Sequence, residues 1–466
     1  MNRLEPRDRH MPRPSSLPGL LAGFTLALAL ALSIWRLLNW PILSAIITAK
    51  LAPFVPTMEV QANGLILVGG ADIRRIIALI ILIGAVGALA LRPAELPGRR
   101  FWVACSPLIL VILLAWASFA WSIAPAATRS RLWVFSAVSV AALVLGSVLT
   151  RRTILQILEF FAAGLTVLNV IVMFRYPVAS VMVVRGVLSW TGLFDHKNFN
   201  GIIMAFAATV FLIQLFGFGR RGWFHRTSLL SLLGLSLFLL WKSDGVTGMV
   251  AFICVQLTWV LALLFLKWGH RLRKTQWLAV AGLAVLGAAF LWMSKDSVLA
   301  IFGRSSSLTG RVPLWSVLSG FIAQKALLGY GYGEVFWRAM RADVWASLAR
   351  WRPSFAHNGF IEFALALGLV GLGLLLIIML QTLILGLRYF LHSRTLESAW
   401  PLLFLMLIAL VNAAESLLAS REYFFWLLLV MTYGFVVRWA TDPPEGRDSQ
   451  TPMVVAGAAG AQGQSS

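Results

Sequence analysis

The chain is poor in charge, and poorest in acid. Only 12% of its 466 residues are Asp, Glu, Lys or Arg, and 18 acids stand against 39 bases. Soluble domains carry roughly 25% charged residues, so this shortage excludes an ordinary water-soluble fold. Cysteine is scarcer still. Cys105 and Cys254 both fall inside apolar runs, where they read as small packing residues rather than a disulfide; the redox compartment stays open. No HExxH, no CxxC and no acidic pair at ligand spacing occurs, so no metal or cofactor is expected. Gly329-Tyr330-Gly331-Tyr332-Gly333 lacks a Walker lysine and follows no predicted strand, which excludes nucleotide binding and leaves a flexible loop.

What the chain has in abundance is apolar length. It is 59% hydrophobic with a mean hydropathy of +0.84, and many runs are about 17–25 residues, enough to cross a bilayer as helix. The expected spans are 17–38, 73–91, 101–121, 132–149, 154–174, 199–219, 227–241, 248–266, 276–293, 357–386, 399–415 and 422–437. The fold expected is therefore all-α, a polytopic integral membrane protein of about 12 transmembrane helices. The first run follows Arg3, Arg7, Arg9 and Arg13 but is too long for a signal-peptide core, so it reads as a retained helix. Segment 39–72, with Pro41, Pro53 and Pro56, reads as re-entrant or interfacial.

Charge sets the expected orientation. With the N-terminus inside, the short inner loops 92–100, 150–153, 220–226, 267–274 and 387–394 carry 3, 2, 3, 4 and 2 Lys/Arg. That is the positive-inside pattern, and it puts both termini in the cytoplasm. The division follows: a cytoplasmic segment 1–16, nine spans over 17–293, a large periplasmic loop 294–356, three spans over 357–437, and a cytoplasmic tail 438–466, rich in Pro, Gly, Ala, Ser and Gln and expected to be disordered. A net charge of +21 invites nucleic acid. The bases sit between spans, however, so membrane lipids and phosphate-bearing substrates are the expected partners, and nucleic acid is not. The long outer loop holds Lys295, Arg304, Arg311, Lys325, Arg338, Arg341, Arg350 and Arg352, either ordinary solvated charge or phosphate ligands. Within it, Ala339–Trp351 mixes Trp and Arg as interfacial helices do.

Of six histidines only His196 and His357 face outward on this topology. A lone histidine usually serves structure. His357 differs in its setting, at the junction of the longest polar loop and a long apolar helix, beside Asn358, with Glu362 four residues beyond that Asn on the same helix face. An imidazole near its ordinary pKa of about 6.5 suits general-base work at neutral pH. Thr309-Gly310-Arg311 reads either as a helix start with an incidental arginine or as a guanidinium that forks onto phosphate oxygens, which lysine cannot do. Arg185 to Asn198 is a second polar, glycine-containing stretch suited to phosphate or sugar, with Arg185, His196, Lys197 and Asn198 as candidates. Lys242 to Gly248 is a third, or a plain interhelical turn. Glu159, Glu362 and Glu415 lie in or near spans, where a buried carboxylate marks function or a paired structural role.

In these pieces the chain resembles the O-antigen ligase and polysaccharide polymerase superfamily, in its succinoglycan-type exopolysaccharide polymerase branch. The pieces are Trp121-Ser122-Ile123-Ala124-Pro125, Gly192 to Asn198, Ser243 to Gly248, Thr309-Gly310-Arg311 with Leu314-Trp315, Leu328 to Gly333, and His357-Asn358 with Glu362. They follow one another in the family's order over roughly 120–380, and the Asp195-His196-Lys197-Asn198 form suits the exopolysaccharide branch. The resemblance implies a GT-C-like membrane glycosyltransferase of the bacterial inner membrane that takes a glycan from an undecaprenyl diphosphate carrier without a metal ion. It implies diphosphate contacts from Arg311 and Arg185, a catalytic His357 with Glu362, and further substrate contacts from Lys197, His196, Asn198, Lys242 and Asn358. Flippase and chain-length or export proteins are its implied partners. One departure stands out: ligases commonly carry an arginine after the serine of the third piece, where this chain has Asp244, with Lys242 as a substitute.

Two other readings share the membrane class. Ligation onto a lipid A core or another acceptor uses the same donor and geometry, and only the product separates it from polymerisation. A transporter of lipid-linked glycans also fits twelve spans, but transporters show internal repeats and mid-membrane polar residues. Here the halves are dissimilar and the polar residues cluster in outer loops.

Overall fold

The computed structural model describes residues 17–34, 60–61, 64–65, 70–91, 96–184, 186–218, 222–269, 310–348, 352–418 and 423–441. The expected span 276–293, most of segment 39–72, loop residues 294–309 and the tail from 442 lie outside these, as does Arg185. The described helices are α1 (Leu17–Ile34), α2 (Gly70–Ala90), α3 (Arg99–Ala104), α4 (Ser106–Ala117), α5 (Pro125–Val148), α6 (Arg151–Arg175), α7 (Lys197–Gly217), α8 (Trp223–Lys242) and α9 (Val246–Trp268). They continue as α10 (Arg311–Gln324), α11 (Val335–Ala346), α12 (Gly359–Ser393), α13 (Trp400–Ala414) and α14 (Phe424–Thr441). Two small antiparallel hairpins interrupt the helices: β1 (Val60–Gln61) with β2 (Gly64–Leu65), and β3 (Val181–Val184) with β4 (Val187–Trp190).

Among the described residues eight helices are long and apolar enough to cross a membrane: α5, α6, α7, α8, α9, α12, the Leu396–Ala414 helix that contains α13, and α14. Three shorter apolar helices accompany them at Gly19–Ala31, Ile77–Ala90 and Ser106–Ala120. The protein is thus an all-α polytopic membrane protein. The expected span 101–121 is two pieces, α3 and α4, because Pro107 removes a backbone donor and fits only the first turn of a new helix. The last span runs to Thr441, beyond the expected 437.

Helices α5, α7 and α14 form the centre, while α8, α9 and the second half of α12 leave Leu, Ile and Val exposed. Ile253, Leu257, Leu376 and Leu380 are such residues. An apolar exterior of this kind is stable only against lipid. Where outer helices meet the centre, small residues bring backbones together. A Cβ on Gly248 of α9 would lie 2.5 Å from the Gly201 carbonyl carbon of α7, so only glycine allows this approach.

The break in α12 governs the rest. Gly368 has φ 68 and ψ −170, and a Cβ there would meet the Leu327 carbonyl at 2.0 Å. Breaking a membrane helix frees backbone groups that hydrocarbon cannot satisfy. The loop after α10 satisfies them: Tyr330 N donates to Leu365 O (2.8 Å), Gly331 N to Ala366 O (3.0 Å) and Leu369 N to Ala326 O (2.7 Å). The glycine-tyrosine run is therefore a plug in a broken helix, its tyrosines Tyr330 and Tyr332 buried. Around it α10 and α11 build a second small core from Leu314, Leu318, Tyr330, Phe336, Trp337 and Val344, resting on Leu365 of α12. The described part of the long loop, 310–348 and 352–356, is a packed cap on the bundle. Within the stretch expected to lie on the membrane, Val344 faces that core.

Candidate functional site

Four helix ends meet at one end of the bundle. Three are N-termini, where unpaired N–H groups and the helix dipole favour negative charge. His196 caps α7, its Nδ1 accepting from Asn198 N at 3.1 Å. Asn358 caps α12, its Oδ1 accepting from Phe360 N (2.9 Å) and Ile361 N (3.2 Å). Arg311 is the first residue of α10, after a left-handed Gly310. The fourth end is the C-terminus of α13, capped by Glu415.

Glu415 is the hub. Its side chain is 2% exposed, and both oxygens are taken. Oε1 accepts from Arg311 Nη2 and from Asn198 Nδ2, each at 2.8 Å, and Oε2 lies 3.0 Å from His357 Nδ1. Burial alone would raise this carboxyl. The His357 hydrogen bond, the Arg311 and His357 charges and the Asn198 amide outweigh it, and the group is held at about 2. Arg311 also donates through Nη1 to Ala414 O, so its guanidinium grips the turn that ends α13. Next to this cluster the His196 ring is pushed below its ordinary pKa, chiefly by burial. With Nδ1 accepting a backbone N–H, the neutral ring carries its proton on Nε2, which makes His196 a donor on that side.

The turn that carries His357 is held from outside by three indoles. Trp345 Nε1 donates to Pro353 O (2.7 Å), and Trp315 Nε1 to Ala356 O (2.8 Å). Trp337 Nε1 reaches both Glu362 oxygens at 2.9 and 3.0 Å. Glu362 Oε1 also accepts from Ala356 N (2.6 Å) and from Ser416 Oγ (3.3 Å). Thus α10 and α11 grip residues 353–356, and the turn delivers His357 at φ 51. That left-handed conformation costs a non-glycine residue about 1 kcal/mol or more, and it persists because its surroundings over-determine it. Asn358 completes the staple, its N donating to Ser416 Oγ (3.2 Å) and its Nδ2 to Ala413 O (3.2 Å).

The sequence candidates therefore separate. Arg311, His357 and Asn198 meet directly on Glu415, with His196 beside them and Asn358 fixing the turn. Glu362 faces the other way, into Trp337 and the backbone of Ala356, and builds the support of the turn. Lys197 is buried and ion-paired with Asp244, its Nζ also donating to Ser189 Oγ at 3.2 Å. Lys242 lies over aromatic rings, its Nζ 4.5 Å from the Trp241 centroid and 5.7 Å from that of Trp190. Arg185 is outside the described residues. The segment before His196 is held by a buried amide chain: Asn169 Nδ2 donates to Asn200 Oδ1 (2.7 Å), and Asn200 Nδ2 to Trp190 O (2.9 Å).

The group that sequence reading marked only as a carboxylate near a span, with no partner named, is Glu415. Its only signal is an acid closing an apolar helix, in Asn412-Ala413-Ala414-Glu415-Ser416, on the expected outer side. Among the described residues no three His, Cys, Asp or Glu side chains group to hold a metal ion. What the cluster offers is an arginine fork, an imidazole on a fixed carboxylate and three helix N-termini, an arrangement suited to an anionic ligand and a proton transfer.

Residues 229–376, from α8 to just past the break in α12, match the family model described as O-antigen ligase. The match covers less than half of the chain but includes Arg311, His357, Asn358 and Glu362. No curated protein matches the chain.

Proposed function

We propose that this chain, a glycosyltransferase-type membrane enzyme of the O-antigen ligase and polysaccharide polymerase superfamily, polymerises lipid-linked oligosaccharide repeat units into exopolysaccharide. The donor is an undecaprenyl diphosphate-linked glycan, and the reaction takes place at the periplasmic face of the inner membrane with both termini in the cytoplasm. The observation that carries this reading is the convergence of Arg311 and His357 on one buried carboxylate where three helix N-termini meet.

The mechanism follows from those groups. A diphosphate leaves readily when its developing charge is met, and an arginine among helix N-termini at a half-buried surface meets it without a metal. The Arg311 guanidinium has five N–H donors, two of them given to Glu415 and Ala414. The others are the donors assigned to the diphosphate. His357 takes the proton of the acceptor hydroxyl as that oxygen attacks the anomeric carbon, with inversion. His196, a donor through Nε2, and the amides of Asn198 and Asn358 orient the glycan. Lys197, with its partner Asp244, and Lys242 on its aromatic rings line the approach on the α8–α9 side, and Arg185 extends it. Membrane lipids surround the site, and flippase and chain-length or export proteins supply the donor and receive the product.

The test is glycan length in a deletion strain complemented with wild type or His357→Ala, with membrane levels of the protein matched. Loss of long polymer and accumulation of lipid-linked single repeats is the expected outcome. Normal polymer from the variant removes His357 from the reaction. A single transfer to a different acceptor, with no chain growth, replaces polymerisation with ligation.

A further inference from the structure

The carboxylate paired with His357 is not the one nearest to it in sequence. We infer that Glu415 is a positioning residue for the transfer, holding His357 with Nδ1 as the donor so that Nε2 takes the acceptor's proton, and holding Arg311 in register beside it. The inference rests on the reaction proposed above and adds a residue that the expected catalytic pair lacked.

Three observations carry it. The Glu415 side chain is 2% exposed and grips three different elements, the start of α10 through Arg311, the start of α7 through Asn198 and the His357 turn. An ionised carboxylate accepts and cannot donate. The nitrogen facing it, His357 Nδ1 at 3.0 Å, is therefore the one that bears hydrogen, and whenever the ring acts as a base its lone pair lies on Nε2. Finally, the backbone is shaped for this contact. His357 sits at φ 51, and Asn358 ties its turn to Ala413 and Ser416, the residues on either side of the Ala414-Glu415 pair. Glu362, the alternative partner, has its oxygens on Trp337, Ala356 N and Ser416.

The step balances on these atoms. The acceptor oxygen forms its bond to the anomeric carbon while the bond from that carbon to the diphosphate oxygen breaks. The diphosphate departs with the electron pair, facing Arg311, and the acceptor's proton moves to His357 Nε2. The resulting imidazolium lies against the Glu415 anion. One carboxylate thereby sets which nitrogen is basic and stabilises the charge that appears there.

The experiment uses the full-length protein in proteoliposomes, with lipid-linked repeat units extracted from the deletion strain as donor and acceptor. Glu415→Gln keeps the size of the side chain and removes its charge. We expect kcat to fall about 100-fold or more, as loss of a tautomer-fixing carboxylate does elsewhere, with KM changed less than about threefold. In ¹⁵N spectra of histidine-labelled protein, the His357 ring, assigned by its absence from His357→Ala, should lose its Nδ1–H signature in the variant. A kcat within about threefold of wild type, or an unchanged tautomer, overturns the inference. If Glu415→Gln fails to reach the membrane, Glu415→Asp keeps the charge and withdraws it by one methylene. A lower kcat at similar KM then supports the role, and wild-type kinetics sinks it. A fully active His357→Ala enzyme would instead bring down the underlying reaction, whatever Glu415 does.

Discussion

Two buried carboxylates stand at the same end of the bundle, and they are held by opposite kinds of partner. Glu362, at the start of α12, is surrounded by neutral donors: an indole, a backbone N–H and a hydroxyl. Glu415, at the end of α13, is surrounded by a guanidinium, an imidazole and an amide. Ser416 connects the two, its hydroxyl donating to Glu362 and accepting from Asn358 N. Burial is equal, so burial cannot separate a scaffold acid from a site acid. The partners do. Neutral donors fix a fold, whereas a guanidinium and an imidazole with exposure of their own leave donors and a proton acceptor for a ligand. Arg311 and His357 keep 17% and 18% of their side-chain surface, and that residual access is what a substrate needs.

The sharpest way to break this contrast is at the carboxylate that Arg311 holds. Arg311→Lys keeps the charge and loses the fork, and a transition-state donor of this kind is worth roughly 100- to 1000-fold in rate. We expect a loss of that order in polymer formation by purified protein, with the melting temperature in detergent little changed. Near-full activity in the lysine variant would count against a bidentate role for Arg311.

At Glu362, among its neutral donors, the expectation reverses. Glu362→Ala leaves the Trp337 indole and Ala356 N–H without their acceptor, each costing about 1–3 kcal/mol. Unfolding in detergent should show a loss of about 3 kcal/mol, whereas the transfer rate per folded molecule should stay within about tenfold. A stable but inactive Glu362→Ala protein would move this acid into the chemistry and erase the distinction.

The distinction was only half legible in the sequence. Arg311 and His357 were readable because a polar loop in a chain this apolar has few tasks, and both sit where loop becomes helix. Glu415 was visible as an acid near a span, but nothing local names its partners. Arg311 is 104 positions away and Asn198 is 217. Helix-face reasoning correctly put Glu362 one turn from Asn358, yet a helix face does not say what covers it, and here it is Trp337 from α11. The span pattern was legible by hydropathy wherever a run was uninterrupted. It failed at Pro107, which splits a span, and at Gly368, where a lone glycine in an apolar run gave no hint of a break. That break is stabilised by backbone groups of residues 326–331, and pairing of this kind leaves no mark in side-chain composition.

Acid should expose the same contrast with a smaller signal. The Glu415 carboxyl titrates at about 2 in the folded protein against 4.5 as its ordinary value. A depressed carboxyl contributes stability that is complete above the ordinary value and is lost as pH falls through the folded one. The stability difference between wild type and Glu415→Gln should therefore be flat at neutral pH. It should narrow by on the order of 2 kcal/mol between about pH 4.5 and 2. A difference that is already constant across that window would mean that the cations do not hold the carboxylate charged.

The smallest expected effect is at Lys242, which the resemblance offers in place of a ligase arginine. Its ammonium lies over Trp241, Trp190 and Phe238, and cation–π contacts at exposed sites are worth about 0.5–1 kcal/mol. Lys242 also closes α8, where a cation suits the helix dipole. A methionine loses the charge and both contributions with it, and keeps only the aliphatic stem on the rings. Lys242→Met should change transfer less than about threefold, since the lost terms are cation–π contact and a charge at a helix end, and not a phosphate ligand. A tenfold loss with rising donor KM would mean that Lys242 leaves its rings when the donor binds, and that the diphosphate site extends from Arg311 across to α8.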